Sequence, residues 1–322
     1  MWLIYALGGG WGHLTRAIAL ARVAQRDRRV LILTNSPYAE AAAGAAAVRA
    51  LPPGATADRT RQEVIRAIGE CRPECLIVDT FPRGIGGELA GILAGLAARK
   101  VLVARDLNPR YVAAARLREF VAAHYDLVLV PGAGEGLQMG DLPAAFTTAP
   151  WLVRSAHEIP DRNRVRTLLR LAPHEEQCVL VCASGKPDEL DWYGAVVREL
   201  LAAAAPVRLI AAARPPQCPE ECWVRYWPAL DLFACASVVV GGAGYNTVAE
   251  CLAWDVPLVA RAWPRAYDRQ ELRARNAGGR VTLVREPPEA ARVALDLMRD
   301  HRRREPRFVN GAMEAAVRIA SG

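Results

Sequence analysis

The sequence predicts an α/β protein of two doubly wound, Rossmann-like domains facing a cleft. Three observations predict it. Apolar runs rich in valine, isoleucine and leucine alternate with amphipathic stretches, the pattern of parallel strands covered on both faces. Two of these runs end in glycine turns that open helices, GGGWGH at 8–13 and GGAGYNT at 241–247. The alternation breaks once, at APWLVRSAHEIPD, residues 149–161, so the 322 residues fall into two halves of ordinary domain size.

The first half reads in order. MWLIYAL is a strand, and a helix from about Leu14 to Gln25 follows its glycine turn. VLILT precedes a helix around Tyr38–Ala47, and VRAL precedes one from Arg61 to Cys71. CLIVDT leads to a helix over Glu88–Ala98, KVLVARD to one over Arg110–Ala123, and LVLVP closes the series. The second half repeats the logic with QCVLVCAS, VRLIAAA, VRYW, SVVVGG, PLVARA and RVTLV. The expected partition is 1–150, 151–305 and a C-terminal helical segment at 306–322.

Composition narrows the class. Hydrophobic residues make up 52% and charged residues 23%, which suits a soluble globular chain. The net charge of +7 is carried by arginine, since Lys100 and Lys186 are the sole lysines. Such a balance suits an anionic substrate or membrane surface. No zinc-finger, RNP or basic-zipper pattern points to nucleic acid. The Arg302–Arg304 run reads as a solvated hinge. Trp2–Leu7 is too short for a signal segment, and no apolar run reaches membrane-spanning length, so a cytoplasmic location is expected. The pairs Cys71/Cys75, Cys178/Cys182 and Cys218/Cys222 lack zinc-site spacing and read as reduced thiols; no metal is expected.

Two turns carry the chemistry. At 238–250, VVVGGAGYNTVAE reads as a buried strand, a glycine turn and a helix from about Thr247. Backbone N–H groups and the positive end of a helix dipole then lie at the end of a strand, which suits a phosphate or pyrophosphate. Glu250 follows at a spacing that can reach a ribose hydroxyl. Ser184, Gly185 and Lys186 form a similar loop after QCVLVCAS, and Arg214 and Arg261 end strands where they can neutralise phosphate. In the first half, Gly9, Gly10, Trp11 and Gly12 lead into His13 at a helix entry. A histidine there can take a proton from a hydroxyl nucleophile. Asp79 and Asp106 each end a strand and compete for that role, and either can instead be a turn former or N-cap, with Arg105 as an ion-pair partner.

Residues 224–276 bring a resemblance into view. Tyr226 and Trp227, then Gly241–Gly244 with Thr247 and Glu250, then Asp268 and Gln270, resemble the nucleotide-binding half of GT-B glycosyltransferases. The branch most similar includes the UDP-GlcNAc transferase of peptidoglycan lipid synthesis. Its second glutamine is replaced here by Glu271, which leaves the donor sugar open. The G-x-G-H loop at 10–13 resembles the acceptor side of the same enzymes, and VDTFPRGIGGEL resembles predicted bacterial glycosyltransferases of the superfamily. The resemblance implies a UDP-sugar, with thymine in place of uracil left open, held by Ser184, Gly185, Trp227, Gly241, Gly242, Ala243, Gly244, Tyr245, Asn246, Thr247, Glu250, Asp268 and Gln270. It implies metal-independent transfer with inversion to an acceptor in the first domain, with His13, Asp79 or Asp106 as base, and a last helix that crosses back to that domain. No cofactor beyond the nucleotide sugar is expected, and a lipid acceptor would bring peripheral membrane contact. GWGHLTRAIALA also resembles nucleotide-sugar hydrolases of the pseudaminic acid pathway, in which water is the acceptor. A nucleotide-sugar-binding subunit without its own turnover is the non-enzymatic alternative.

Overall fold

The computed structural model describes residues 1–52, 54–132, 138–299 and 304–321. Its contacts divide the chain into two units: Met1–Val153 with Ala266–Asp268 and the stretch from Val309 onward, and Arg154–Arg265 with Arg269–Phe308. Of the expected arginine hinge, Arg302 and Arg303 lie outside the described residues.

The first unit contains, in order, β1 (Trp2–Ala6), α1 (Trp11–Ala24), β2 (Val30–Thr34), β3 (Ala47–Ala50), α2 (Ala57–Cys71), β4 (Cys75–Asp79), β5 (Arg99–Val103), α3 (Pro109–Ala114), α4 (Leu117–His124), β6 (Leu127–Pro131) and β7 (Ala145–Thr148). The strands form one parallel sheet in the order β3-β2-β1-β4-β5-β6-β7. Every residue of β1, β4 and β6 is buried, as continuous apolar runs require when both faces are covered. Leu3, Leu33, Val64, Leu76, Val78, Leu102 and Val128 meet in its core. Each such side chain contributes roughly 1.5–3 kcal/mol by leaving water.

Three expected helices are not formed as read. Tyr38–Ala47 is alanine-rich, yet it holds a single 3-10 turn at Ala39–Ala42. Gly44 turns to φ +80°, and Ala47 is already pairing with β2. Sheet pairing overrides propensity there. Glu88–Ala98 holds one 3-10 turn at Leu93–Gly95, because Glu88 turns inward to the Tyr5 hydroxyl. Arg110–Ala123 is broken at Arg116, which takes φ +47°. In a continuous helix Val112 and Leu117 would point about 140° apart. The break resets the phase so that Val112, Leu117 and Val121 all reach the core. The short edge strand β7 carried too little pattern to be read.

The second unit begins with α5 (Arg162–Leu168) and continues through β8 (Cys178–Cys182), α6 (Pro187–Ala202), β9 (Val207–Ile210), β10 (Trp223–Val224), β11 (Ala236–Gly242), α7 (Tyr245–Trp254), β12 (Leu258–Arg261), α8 (Gln270–Asn276), β13 (Val281–Leu283) and α9 (Pro287–Met298). Its parallel sheet runs β10-β9-β8-β11-β12-β13, the order of the first sheet one strand shorter. Trp192, Val196, Leu200, Val238, Val240 and Val259 pack in its core. The expected strand VRYW shortens to Trp223–Val224, because Tyr226 turns its hydroxyl to Asp231. The expected turn at Gly241 is also moved: β11 runs on through Gly242, and α7 opens at Tyr245 rather than Thr247. The last helix, α10 (Gly311–Ala320), belongs to the first unit. It packs on α1, and the backbone of Gly311 lies so close to the Ala149 carbonyl that a Cβ would sit 1.9 Å from its oxygen.

Candidate functional site

In each sheet the strand order reverses between the first strand and the fourth. Loops that leave those two strands diverge and open a crevice at their carboxyl ends. In the first unit the strands are β1, whose following turn leads into His13 on α1, and β4, whose last residue is Asp79. His13 and Arg16 are three apart on α1, so both side chains reach the end of β4. His13 Nδ1 lies 2.5 Å from Asp79 Oδ2. Arg16 donates from Nε to Oδ1 at 2.9 Å, from one terminal nitrogen to Oδ2 at 2.7 Å, and to Thr80 Oγ1 at 3.2 Å. Burial alone would raise the Asp79 carboxyl; the Arg16 charge and His13 outweigh it and hold it well below the usual carboxylate range. With Asp79 ionised, Nδ1 is the donor, and His13 Nε2 has no hydrogen-bond partner among the described residues. The imidazole keeps 18% of its surface exposed, so that nitrogen is accessible.

Local structure explains the placement. The His13 ring lies directly on Gly8, where a Cβ would fall 1.9 Å from Cδ2. The N–H groups of Gly8 and Gly9 both donate to Asn35 Oδ1 at 2.8 Å, which fixes the loop. After Asp79 the chain folds back over one residue: Phe81 N–H donates to the Asp79 carbonyl at 2.9 Å while Thr80 takes φ +72°. That is the rarer, positive-φ γ-turn, a strained form for a β-branched residue. It sets the Phe81 ring against His13, 5.6 Å between centroids. The next residues wrap a buried carboxylate. Glu88 accepts from the Tyr5 hydroxyl and from Gly86 N–H at 2.8 Å, and Ile85 N–H donates to the Tyr5 oxygen at 2.8 Å. Burial first, then the Glu88 charge, pushes the Tyr5 hydroxyl far above its ordinary range, so it stays a donor. Across the loop, Trp11 and Tyr38 stack face to face, 4.1 Å apart and 8° from parallel.

In the second unit the reversal falls between β8 and β11. Gly241 pairs with Cys182 and Gly242 with Arg261. Neither glycine is needed for a positive φ; both leave room for a neighbour. A Cβ on Gly241 would lie 3.1 Å from Thr247 Cγ2, and one on Gly242 would lie 3.2 Å from Tyr193 Oη. Gly244 caps α7 without a side chain. The α7 N-terminus, Tyr245-Asn246-Thr247, therefore stands at the crevice beside Ala243, whose carbonyl accepts from Arg273 at 3.1 Å. Burial, then the Asp231 charge, pushes the Glu250 carboxyl up to about 8. Asp231 is itself buried and held twice over by Arg154, at 3.0 and 3.1 Å, and by the Tyr226 hydroxyl at 3.1 Å.

The remaining expected residues divide. Ser184 and Lys186 are exposed at the start of α6, but the Glu189 carboxylate fills the space over Gly185, whose φ is +128°, and is clamped by Arg265 at 2.6 and 2.7 Å. Gln270 is buried, and its Oε1 accepts from Trp263 N–H at 2.9 Å. Asp268 groups with the first unit. Trp227 is half-buried beside Tyr226. Asp106 is half-buried three residues past β5; Asn108, not Asp106, caps α3. Arg16, not Arg105, clamps Asp79. Arg214 donates to the Cys218 carbonyl, and Arg261 stacks on Trp263 at 4.2 Å. All eight cysteines are unpaired. Sequence reasoning missed Arg16, Asn35, Asp231 and Tyr193. The three-residue spacing of His13 and Arg16 was the one signal that pointed to any of them.

No family model matches the chain, and no curated protein matches it in sequence. Solved structures match its fold over nearly the whole length. The glycotransferase of kitacinnamycin superposes with a TM-score of 0.65 at 18% identity, covering 99% of this chain and 98% of that one. The UDP-GlcNAc 2-epimerase from Methanocaldococcus jannaschii gives 0.60 at 12%, with 100% of both chains covered. A spinosyn rhamnosyltransferase complexed with thymidine diphosphate gives 0.59 at 15%, covering 99% and 95%. The chain therefore has the GT-B-type fold expected of it: two Rossmann-like units, a fold that glycosyltransferases share with nucleotide-sugar epimerases.

Proposed function

We propose that the protein is a glycosyltransferase that moves a sugar from a nucleoside diphosphate to an acceptor hydroxyl, with a UDP- or TDP-sugar as donor. The observation that carries this reading is the imidazole of His13, whose Nδ1 is held by Asp79 while its Nε2 is left unpartnered and accessible. The first unit takes the acceptor and the second takes the donor. The diphosphate lies on the α7 N-terminus at Gly242–Thr247, and Glu250 accepts from the ribose. Trp227 lies against the base, and Asp268 and Gln270 hold the sugar.

Nε2 removes the acceptor proton as the oxygen bonds to the anomeric carbon. The bond from that carbon to the diphosphate oxygen breaks, and its electron pair leaves on the diphosphate. The charge that develops there is met by backbone N–H groups and the helix dipole, a preorganised arrangement that needs no metal. One displacement inverts the anomeric centre. Asp79 and Arg16 touch no substrate; they orient the imidazole and stabilise its charged form.

Calorimetric titration of UDP, TDP, GDP and CMP tests the donor half, with Glu250→Ala as control. Binding of UDP or TDP that the variant weakens is the expected result. Absence of binding by all four would sink the reading. Analysis of products from a UDP- or TDP-sugar separates transfer from hydrolysis: free sugar without any acceptor adduct would assign water as the acceptor.

A further inference from the structure

We propose that the acceptor is an elongated alcohol that carries a carboxylate or phosphate group, and that Arg83 binds this oxyanion while the hydroxyl lies at His13. Naming the acceptor rests on the transferase reading and deepens it; the anion site stands on Arg83 alone. Arg83 belongs to the loop that leaves β4 after Asp79, and its backbone is fixed. Gly84 N–H donates to the Phe81 carbonyl and Leu89 N–H to the Arg83 carbonyl, both at 2.8 Å, and the Tyr125 hydroxyl donates to the Pro82 carbonyl at 2.5 Å. The side chain is half-buried, with its guanidinium carbon 4.5 Å from the centre of the Phe120 ring. Nε is shut off from water and has no hydrogen-bond partner. Among the described residues no carboxylate pairs with Arg83. Arg16, Arg154 and Arg208, also largely withdrawn from water, each hold one: Asp79 at 2.7 Å, Asp231 at 3.0 Å and Glu175 at 3.1 Å. Stacking on Phe120 places the Arg83 charge but satisfies none of the N–H groups in the guanidinium plane. A buried N–H without an acceptor is costly, and a planar fork of donors matches the two oxygens of a carboxylate or phosphate.

A run of ring contacts joins this cation to the base. Centroids are 5.6 Å apart for His13 and Phe81, 5.5 Å for Phe81 and Tyr267, and 4.6 Å for Tyr267 and Tyr111. Tyr267 groups with the first unit, and its carbonyl accepts from Asn108 N–H at 2.9 Å. Burial first, then Tyr267, pushes the Tyr111 hydroxyl up, and the Arg83 charge acts against both. The cation therefore lies near that hydroxyl, which stays protonated and is a second donor for an anion. Polar chemistry thus sits at the two ends of the run, a proton acceptor at His13 and a cation at Arg83, with ring surface between them. That order suits a ligand with a hydroxyl at one end, an oxyanion at the other and an apolar spacer.

The probes are 10-hydroxydecanoate, its methyl ester and inorganic phosphate, each titrated into the full chain and read by saturation-transfer NMR. The expected result is that the acid binds about tenfold or more tightly than the ester, on the scale of one charge-assisted hydrogen bond. Arg83→Gln should remove that preference, and Arg83→Lys, which keeps the charge without the fork, should keep part of it. Arg26→Gln, an exposed arginine on another loop, controls for general attraction to the net charge of +7 and should change nothing. Circular dichroism checks that the variants fold. In the wild type the Arg83 Nε–H resonance, assigned by its loss in Arg83→Lys, should move as the acid binds. Equal affinity for acid and ester, a preference that survives in folded Arg83→Gln, or an Nε–H signal that stays still because water already satisfies it, overturns the proposal. Phosphate that binds at Arg83 where the hydroxy acid does not would assign the site to a free ion and overturn the acceptor assignment. The transferase reading fails separately. If the acid binds through Arg83 but no acceptor receives sugar from UDP- or TDP-glucose, that reading is weakened while the anion site stands. If sugar passes equally to acid and ester and Arg83→Gln leaves KM for the acid unchanged, the anion site fails while the transferase reading stands.

Discussion

Gly8→Ala tests the geometry of the base directly. The new methyl carbon would fall 1.9 Å from His13 Cδ2 and 2.2 Å from Nε2. Carbon atoms in contact normally sit about 3.5–4.0 Å apart, so the ring must withdraw by roughly 1.5–2 Å. The Nδ1 to Asp79 distance is 2.5 Å, and that withdrawal takes it past the roughly 3.5 Å limit of a hydrogen bond. Losing a hydrogen bond to a charged group costs about 1.5–3 kcal/mol, and overpacking costs about 1–3 kcal/mol. The two overlap, since withdrawing the ring relieves the overpacking, so a net loss of about 2–4 kcal/mol is expected. A base displaced by more than about 1 Å also lowers kcat by roughly 100-fold, with nucleotide affinity unchanged. Gly10→Ala is the control, because a Cβ there meets nothing within 4 Å and its φ of −141° suits any residue. Denaturant unfolding gives the stability, and proton–nitrogen NMR of the imidazole reads the Nδ1 hydrogen bond. If Gly8→Ala matches Gly10→Ala in stability and keeps a strongly bonded Nδ1 proton, the reasoning is wrong.

Arg16→Met should cost about 3–5 kcal/mol at pH 7, because it leaves the buried Asp79 carboxylate without its cation. Asp79 is held below the ordinary range, so its contribution is full above the ordinary carboxylate value and is lost as pH falls from there through the lowered folded-state value. The gap between Arg16→Met and wild type should therefore narrow in acid unfolding experiments. Glu250 is shifted the other way, from 4.5 up to about 8, so its burial destabilises progressively between those values as pH rises. Thermal melts should show Glu250→Gln gaining on wild type across that window. If the carboxylate accepts from the donor ribose, UDP affinity of the wild type should rise through the same interval. Tyr193→Phe removes the acceptor for Trp263 Nε1 at 3.0 Å and should cost about 1 kcal/mol in denaturant unfolding.

The strands were legible because both sheets are parallel and buried, and runs such as LIYAL, LIVD and VVVG have few other uses. The helices between them were less so. Alanine at 41–43 and 45–47 favours a helix by propensity, and the turn at Gly44 and the pairing of β3 with β2 decide against it. Glu88 reads as a solvent-facing helix start until the Tyr5 hydroxyl, 83 residues away, turns it inward. His13, Asp79 and the Gly241–Gly244 turn stood out because glycines and strand-end polar residues are local signals. Their partners did not. The clamp of Arg16 on Asp79 and of Arg265 on Glu189 joins positions 63 and 76 residues apart, and no local pattern announces them. The glycines were recognised for the wrong physical reason in part. Gly241 and Gly242 stay within β11, and what they supply is room for Thr247, Tyr193 and Trp263.

The γ-turn at Thr80 ties two residues together at the shortest range a folded chain permits. Asp79, which orients the imidazole, and Phe81, which backs it, are hinged on one strained residue and shift as one body. A substitution that reshapes the wall at Phe81 therefore also moves the carboxylate. On the proposed reading, the orientation of the base and the ring that backs it are inherited as a single trait at this corner.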